Sequence, residues 1–274
     1  MGKRTSSPES SSATTIPAWY LDPVVAEHKR QTHLALLRRW LGPGGTGRIL
    51  KTDLFEESNR IDQILFDPLF ETYRVFGFDL KFATVRGARD HPRAAGASVW
   101  AADVRHLPLR SGSFDCVIST STLDHFRRRT DLSNALDEII RVLRPGGLLI
   151  LTMDNPRNPL YWGLRIASRF GYTPYPLGVT ASLGQLERTL KGKGLEVLGT
   201  DLLIHNPRGV STLLFMAVRR MAGASADRAL RWLLTRFDRL GAIPTRTWTA
   251  CFVAVHARKP RNNNTVPGNP VPAL

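Results

Sequence analysis

An α/β fold built on a doubly wound, mostly parallel sheet is what this chain predicts, and three observations carry the expectation. Short apolar runs alternate with amphipathic stretches from Arg48 to Met153, the pattern of strands joined by crossover helices. The run Gly147–Met153 (GLLILTM) is apolar throughout, as a strand covered on both faces must be. The notable polar residues fall at the carboxyl ends of strands, where such sheets hold their ligands.

Residues 24–41 (VVAEHKRQTHLALLRRWL) space their apolar side chains as a helix does and stop at Gly42-Pro43-Gly44-Gly45. Arg48–Leu54 reads as the first strand, and 56–67 suits a helix. Tyr73–Phe78 (YRVFGF) is a second strand closed by Asp79, followed by a short helix over 81–90 and a third strand, Ala97–Ala101. Asp115–Ser119 (DCVIS) is the fourth. An amphipathic helix over 130–143 leads through Leu143-Arg144-Pro145-Gly146-Gly147 into the fifth strand, 147–153. Beyond it come a helix over 182–192, a strand over 195–205, two helices over 208–222 and 226–240, and a last strand over 247–258. Residues 160–180 are aromatic and punctuated by Pro, which suits a lid or the wall of an acceptor site and suits ordinary packing equally well.

The chain has 274 residues with a formal net charge of +15. Its positive charges are mostly Arg and spread along the sequence, the longest run being Arg127-Arg128-Arg129, so a solvated Arg-rich surface is the plain reading. Cys116 and Cys251 sit in apolar strand-like runs and form neither a disulfide framework nor a zinc pattern, so no metal is expected and a cytoplasmic location is. Residues 1–17 and 260–274 are poor in apolar side chains and are expected to be disordered tails around a single domain, 18–259. The first has no apolar stretch of a secretory signal, and no run reaches the roughly 18 apolar residues that span a bilayer.

Chemistry concentrates between Val99 and Pro159. Asp103 closes the third strand ahead of Leu107-Pro108; Ser113-Phe114-Asp115 opens the fourth; Arg144-Pro145-Gly146-Gly147 precedes the fifth. In that order and spacing, over about residues 45–155, the chain resembles the class I S-adenosylmethionine (SAM)-dependent methyltransferases, in particular the small-molecule group that includes quinone-biosynthesis enzymes (methyltransferase type 11). The resemblance implies a Rossmann-like, seven-stranded mixed sheet whose last strand is antiparallel, with helical insertions. It also implies SAM as cofactor and S-adenosylhomocysteine as product, with Asp79 at the ribose, Asp103 and Val104 at adenine, Leu80 among the cofactor-binding residues, and Ser119 and Thr120 lining the site. The family's first strand ends in an acid and three alternating glycines, which let backbone approach the cofactor. This chain reads Lys51-Thr52-Asp53-Leu54-Phe55-Glu56-Glu57 there. One reading has side chains replace that loop, Lys51 or Thr52 meeting the methionyl carboxylate and Asp53 its ammonium. The other has SAM binding lost.

Three function classes follow. The leading one is SAM-dependent methylation of oxygen, nitrogen or carbon on a small-molecule or lipid-like acceptor, with His125, in Ser119-Thr120-Ser121-Thr122-Leu123-Asp124-His125-Phe126, as candidate proton acceptor. The alternative is a non-catalytic Rossmann-like binding protein. A nucleic-acid methyltransferase ranks below both, because no Asn/Asp-Pro-Pro-aromatic element follows the fourth strand. The basic amphipathic stretch within 208–240 is a lid, ordinary packing, or a peripheral membrane contact.

Overall fold

The computed structural model describes residues 22–261 except 62, 173–176 and 208. The expected tails therefore lie outside the described residues, Pro260 and Arg261 apart, as does the middle of the Pro-punctuated stretch after 170.

Helix α1 (Pro23–Leu41) starts where Asp22 accepts from the Val24 and Val25 amides at 3.0 and 3.3 Å, with Pro23 preset for the first turn. Strand β1 (Gly47–Lys51) leads to a short α2 (Phe55–Asn59), then β2 (Tyr73–Asp79), α3 (Phe82–Arg89) and β3 (Ser98–Ala101). β4 (Phe114–Thr120), α4 (Arg129–Val142) and β5 (Leu143–Asp154) make the next unit, and α5 (Pro159–Arg169) leaves its far end. α6 (Leu183–Gly192), β6 (Glu196–Leu203), α7 (Val210–Met221), α8 (Ala226–Asp238), α9 (Arg246–Thr249) and β7 (Phe252–Arg258) complete the described chain.

The seven strands form one sheet in the order β3-β2-β1-β4-β5-β7-β6. β1 to β5 pair in parallel, and β7 runs antiparallel to both β5 and β6. The mixed seven-stranded sheet is thus as expected. Alternation within each strand sends side chains to two cores. Leu50, Val117, Leu149 and Leu151 pack with Leu136 and Ile139 of α4, while Ile49, Ile118 and Ile150 pack with Leu34 and Leu37 of α1. Both faces are covered, which explains the unbroken apolar runs. Chain order reverses between β1 and β4, and the carboxyl ends of those strands and β2 are where sheets of this kind hold their ligands.

The expected helix over 56–67 is the main correction. α2 ends after Asn59, because Arg60 turns left-handed at φ 59°. The Glu57 carboxylate explains the stop: it accepts from the Ile64 and Leu65 amides at 3.1 and 2.9 Å, so the chain folds back around this side chain. The other shifts are shorter. The first strand ends at Lys51, and the stretch before Phe252 is the α9 turn. In α8, Leu230 and Leu234 are buried against Val24 of α1 and Phe215 of α7, with Phe237 half-buried beside them. That apolar side serves packing, so ordinary packing, one of the three readings of 208–240, describes this helix.

Candidate functional site

Three acids stand at the ends of three neighbouring strands. Asp53 lies just past β1, Asp79 ends β2, and Asp103 follows β3. Asp79 accepts from the Leu54 amide at 3.3 Å and the Lys81 amide at 2.8 Å, which fixes its carboxylate beside the loop after β1. Gly77, two residues earlier, lets that loop close in: a Cβ there would stand 2.6 Å from Leu54 Cδ2. Leu80, next to Asp79, is exposed.

Asp103 is gripped by Arg105, whose Nη2 donates to Oδ2 at 2.6 Å and whose Nε reaches both carboxylate oxygens at 3.0 and 3.1 Å. The same guanidinium donates to Asp131 at 3.2 Å and lies 5.8 Å from the centre of the Phe126 ring. Its hydrogen bonds hold the Asp103 carboxyl below the usual range. The Val104 side chain is buried in the core, so only its backbone is left to meet a ligand.

The first motif turns out to be an ion cluster. Lys51 is fully buried, and its Nζ donates to Glu56 and Glu57, both at 3.0 Å, and to the Asp53 carbonyl at 2.5 Å. Burial alone would lower its pKa, but the Glu56 and Glu57 carboxylates outweigh that and keep the ammonium charged. Glu56 is pulled down to about 2 in spite of its burial, mainly by Lys51. The expectation that Lys51 contacts a ligand is corrected by this placement, since its charge is neutralised inside the protein. An isolated Lys closing an apolar strand, with two acids five and six residues on, is the signal from which sequence reasoning could have found the cluster, and did not.

Thr52 sits differently. Its amide donates to the Ile118 carbonyl at 3.1 Å, and its hydroxyl lies 2.9 Å from that of Ser119 and 3.3 Å from that of Thr122. The neighbouring hydroxyls of Thr120 and Ser121 are buried with no partner among the described residues, and Ser121 holds a left-handed φ of 49°. Ser121 and Thr122 were not singled out from sequence. A left-handed backbone and an orphaned hydroxyl mark Ser121 here, and the contact with Thr52 brings in Thr122.

Asp53 is half-buried and accepts from the Phe55 amide at 2.7 Å. Desolvation and the Glu56 carboxylate push it up to about 7, with Asp79 adding and Lys51 opposing. An acid with a raised native pKa binds its proton more tightly when folded, so its contribution to stability falls as pH rises from about 4 to about 7. Asp53→Asn is therefore expected to stabilise the protein at pH 7.5 by about 1–2 kcal/mol after solvent screening, and not at pH 4. Thermal melts of both proteins at the two pH values check this; an equal shift at both removes the electrostatic explanation.

His125 closes a short 3-10 turn, Leu123–His125, and is half-buried at the β4 end. Its neighbour Asp124 is buried and accepts from the Asp154 amide at 2.7 Å, which ties the β4 and β5 ends together. Asn155 and Asn158 likewise donate to the Ala250 carbonyl, at 3.0 and 3.2 Å. These bonds fasten the strand ends. Among the described residues no group of His, Cys, Asp and Glu is arranged to hold a metal ion.

Residues 63–151 match a family model described as a methyltransferase domain, so the match begins beyond the loop after β1. A malonyl-[acyl-carrier protein] O-methyltransferase of Geobacter sulfurreducens is 43% identical over 76 residues, covering 27% of this chain and 27% of that protein. The ubiquinone/menaquinone biosynthesis C-methyltransferase UbiE of Hahella chejuensis is 42% identical over 72 residues, 26% of this chain and 28% of the relative. The chain thus spans less than a third of the length of either relative. A geranyl diphosphate methyltransferase solved in complex with SAM superposes with a TM-score of 0.56 at 16% identity, over 90% of this chain and 94% of that one, and shares the fold.

Proposed function

We propose, for a chain whose residues 63–151 match a family model described as a methyltransferase domain, that it transfers a methyl group from SAM to a small or lipid-like acceptor. The observation that carries this reading is the row of Asp53, Asp79 and Asp103 at neighbouring strand ends, beside the hydroxyls at the end of β4. Asp79 takes the ribose hydroxyls: a carboxylate has about four lone-pair sites, and its two backbone partners leave capacity free. Asp103, kept ionised by Arg105, accepts the adenine amine, with the Val104 amide and the exposed Leu80 alongside.

The methionine end is held without a glycine loop. Thr52, Ser119 and Thr120 offer hydroxyls to its carboxylate, and Asp53 meets its ammonium. The partnerless hydroxyls of Thr120 and Ser121 fit a polar ligand that would complete them. Lys51, with Glu56 and Glu57, has the different task of shaping the loop. In this reading residues 18–259 are the catalytic domain.

Bound SAM supplies a methyl group activated on a positively charged sulfur. Most of the acceleration then comes from holding acceptor and methyl in line. His125 accepts the acceptor's proton at the edge of the site. His125→Ala is expected to lower kcat by about a hundredfold with KM little changed; a rise in KM alone would make His125 a binding residue.

Titration calorimetry with SAM, followed by transfer of its labelled methyl into solvent-extractable small molecules, tests the reading. Saturable heat and labelled product are expected. No saturable heat at millimolar SAM would overturn it and leave a non-catalytic binding protein.

A further inference from the structure

Helix α5 is amphipathic the unusual way round. Tyr161 is its one buried residue, while Trp162, Ile166 and Phe170, each four residues on, are 55%, 61% and 70% exposed. That spacing aligns them as a single stripe on one side of the helix and the residue beyond it. Arg165 and Arg169 flank the stripe, and the Arg165 guanidinium lies 5.7 Å from the centre of the Trp162 ring.

Helix α7 continues the surface. It buries Ser211 and Phe215 but leaves Leu213 68% exposed. Its start abuts α5, since a Cβ on Gly209 would stand 3.7 Å from Leu164 Cδ1. α5 leaves the carboxyl end of β5, and α7 follows the carboxyl end of β6, which runs parallel to β5. The exposed face therefore stands at the same end of the sheet as Asp53, Asp79 and Asp103.

We propose that the α5–α7 face docks on an anionic lipid bilayer, the Trp162–Ile166–Phe170 stripe entering the headgroup region and Arg165 and Arg169 meeting lipid phosphates. Charge selects this occupant. A chain of formal net charge +15 is attracted to an anionic surface, whereas two copies apposed through Arg-flanked faces repel. An apolar and aromatic stripe bordered by cations is the composition of a helix lying in the interface plane. Among the described residues no helix is long and apolar enough to cross a membrane, so the contact is peripheral. Docking is independent of methyl transfer, but it would open the site toward lipid-borne acceptors.

Co-sedimentation of the full chain with phosphatidylcholine vesicles, with and without phosphatidylglycerol, tests the proposal. Binding is expected to the anionic vesicles and to weaken with salt. The triple variant Trp162→Ser, Ile166→Ser, Phe170→Ser should bind them at least about tenfold more weakly, at an unchanged melting temperature. Arg165→Ala with Arg169→Ala should lose roughly tenfold on anionic vesicles. Wild-type binding that neither variant weakens, or no vesicle binding at all, would overturn the proposal. So would a dimer, seen by sedimentation equilibrium, that the triple variant dissolves while vesicle binding persists.

Discussion

Replacing Lys51 with Met is expected to cost about 3–5 kcal/mol of folding stability, because it strands two buried carboxylates. Glu57 is fully buried and Glu56 nearly so, and each places an oxygen 3.0 Å from Lys51 Nζ. Urea unfolding at pH 7 reads the loss directly. The variant Lys51→Met, Glu56→Gln, Glu57→Gln should recover about half of it, since removing a whole buried ion cluster costs far less than breaking one. The Gln at 57 also keeps a carbonyl for the Ile64 and Leu65 amides. A Lys51→Met protein within about 1 kcal/mol of wild type would mean that the cluster does not hold the loop. The depressed Glu56 acid fixes the pH window: its contribution is complete above about 4.5 and is lost as pH falls toward about 2.

Asp79→Ala is expected to weaken SAM binding by at least about a hundredfold, the loss of hydrogen bonds from two hydroxyls to a charged acceptor, each worth about tenfold or more. Asp79→Asn should lose less, because its carbonyl still accepts one bond. The melting temperature separates a ligand effect from damage to the Leu54 and Lys81 amide contacts. Asp103→Ala should weaken binding too, through the adenine end. Affinity unchanged in both variants would mean that the strand-end acids do not face the cofactor.

The sheet was legible because its signals are local. Ile49-Leu50, Cys116-Val117-Ile118 and Leu149-Ile150-Leu151 are apolar without a break, and both faces of the sheet are covered. The acids at strand ends were legible for the same reason, since the end of a strand also fixes which end of the sheet an acid occupies. The missing parts depend on long-range side-chain partners. Nothing in the composition of 56–67 announces that Glu57 will cap two amides seven and eight residues on and so end the helix. Lys51 looked like a ligand contact because a charged residue at a strand end normally faces solvent or ligand; burial against Glu56 and Glu57 reverses that. Sequence left the amphipathic stretch within 208–240 open between lid, packing and membrane contact, because the partner of an apolar face is not local; α1 and α7 cover that of α8, and an exposed apolar stripe lies on α5. Asp103 was placed correctly at its strand end, but its engagement by Arg105 required the structure.

In the proposed complex, side chains hold the methionine end of SAM where glycines would otherwise do so. Calorimetric titration of S-adenosylhomocysteine and of adenosine into wild type, Thr52→Val and Asp53→Ala tests this most directly. Each variant should bind S-adenosylhomocysteine at least about tenfold more weakly, the worth of one charge-assisted hydrogen bond, while adenosine binding is unchanged. Wild-type affinity for S-adenosylhomocysteine in both variants, or an equal loss for both ligands, would contradict it.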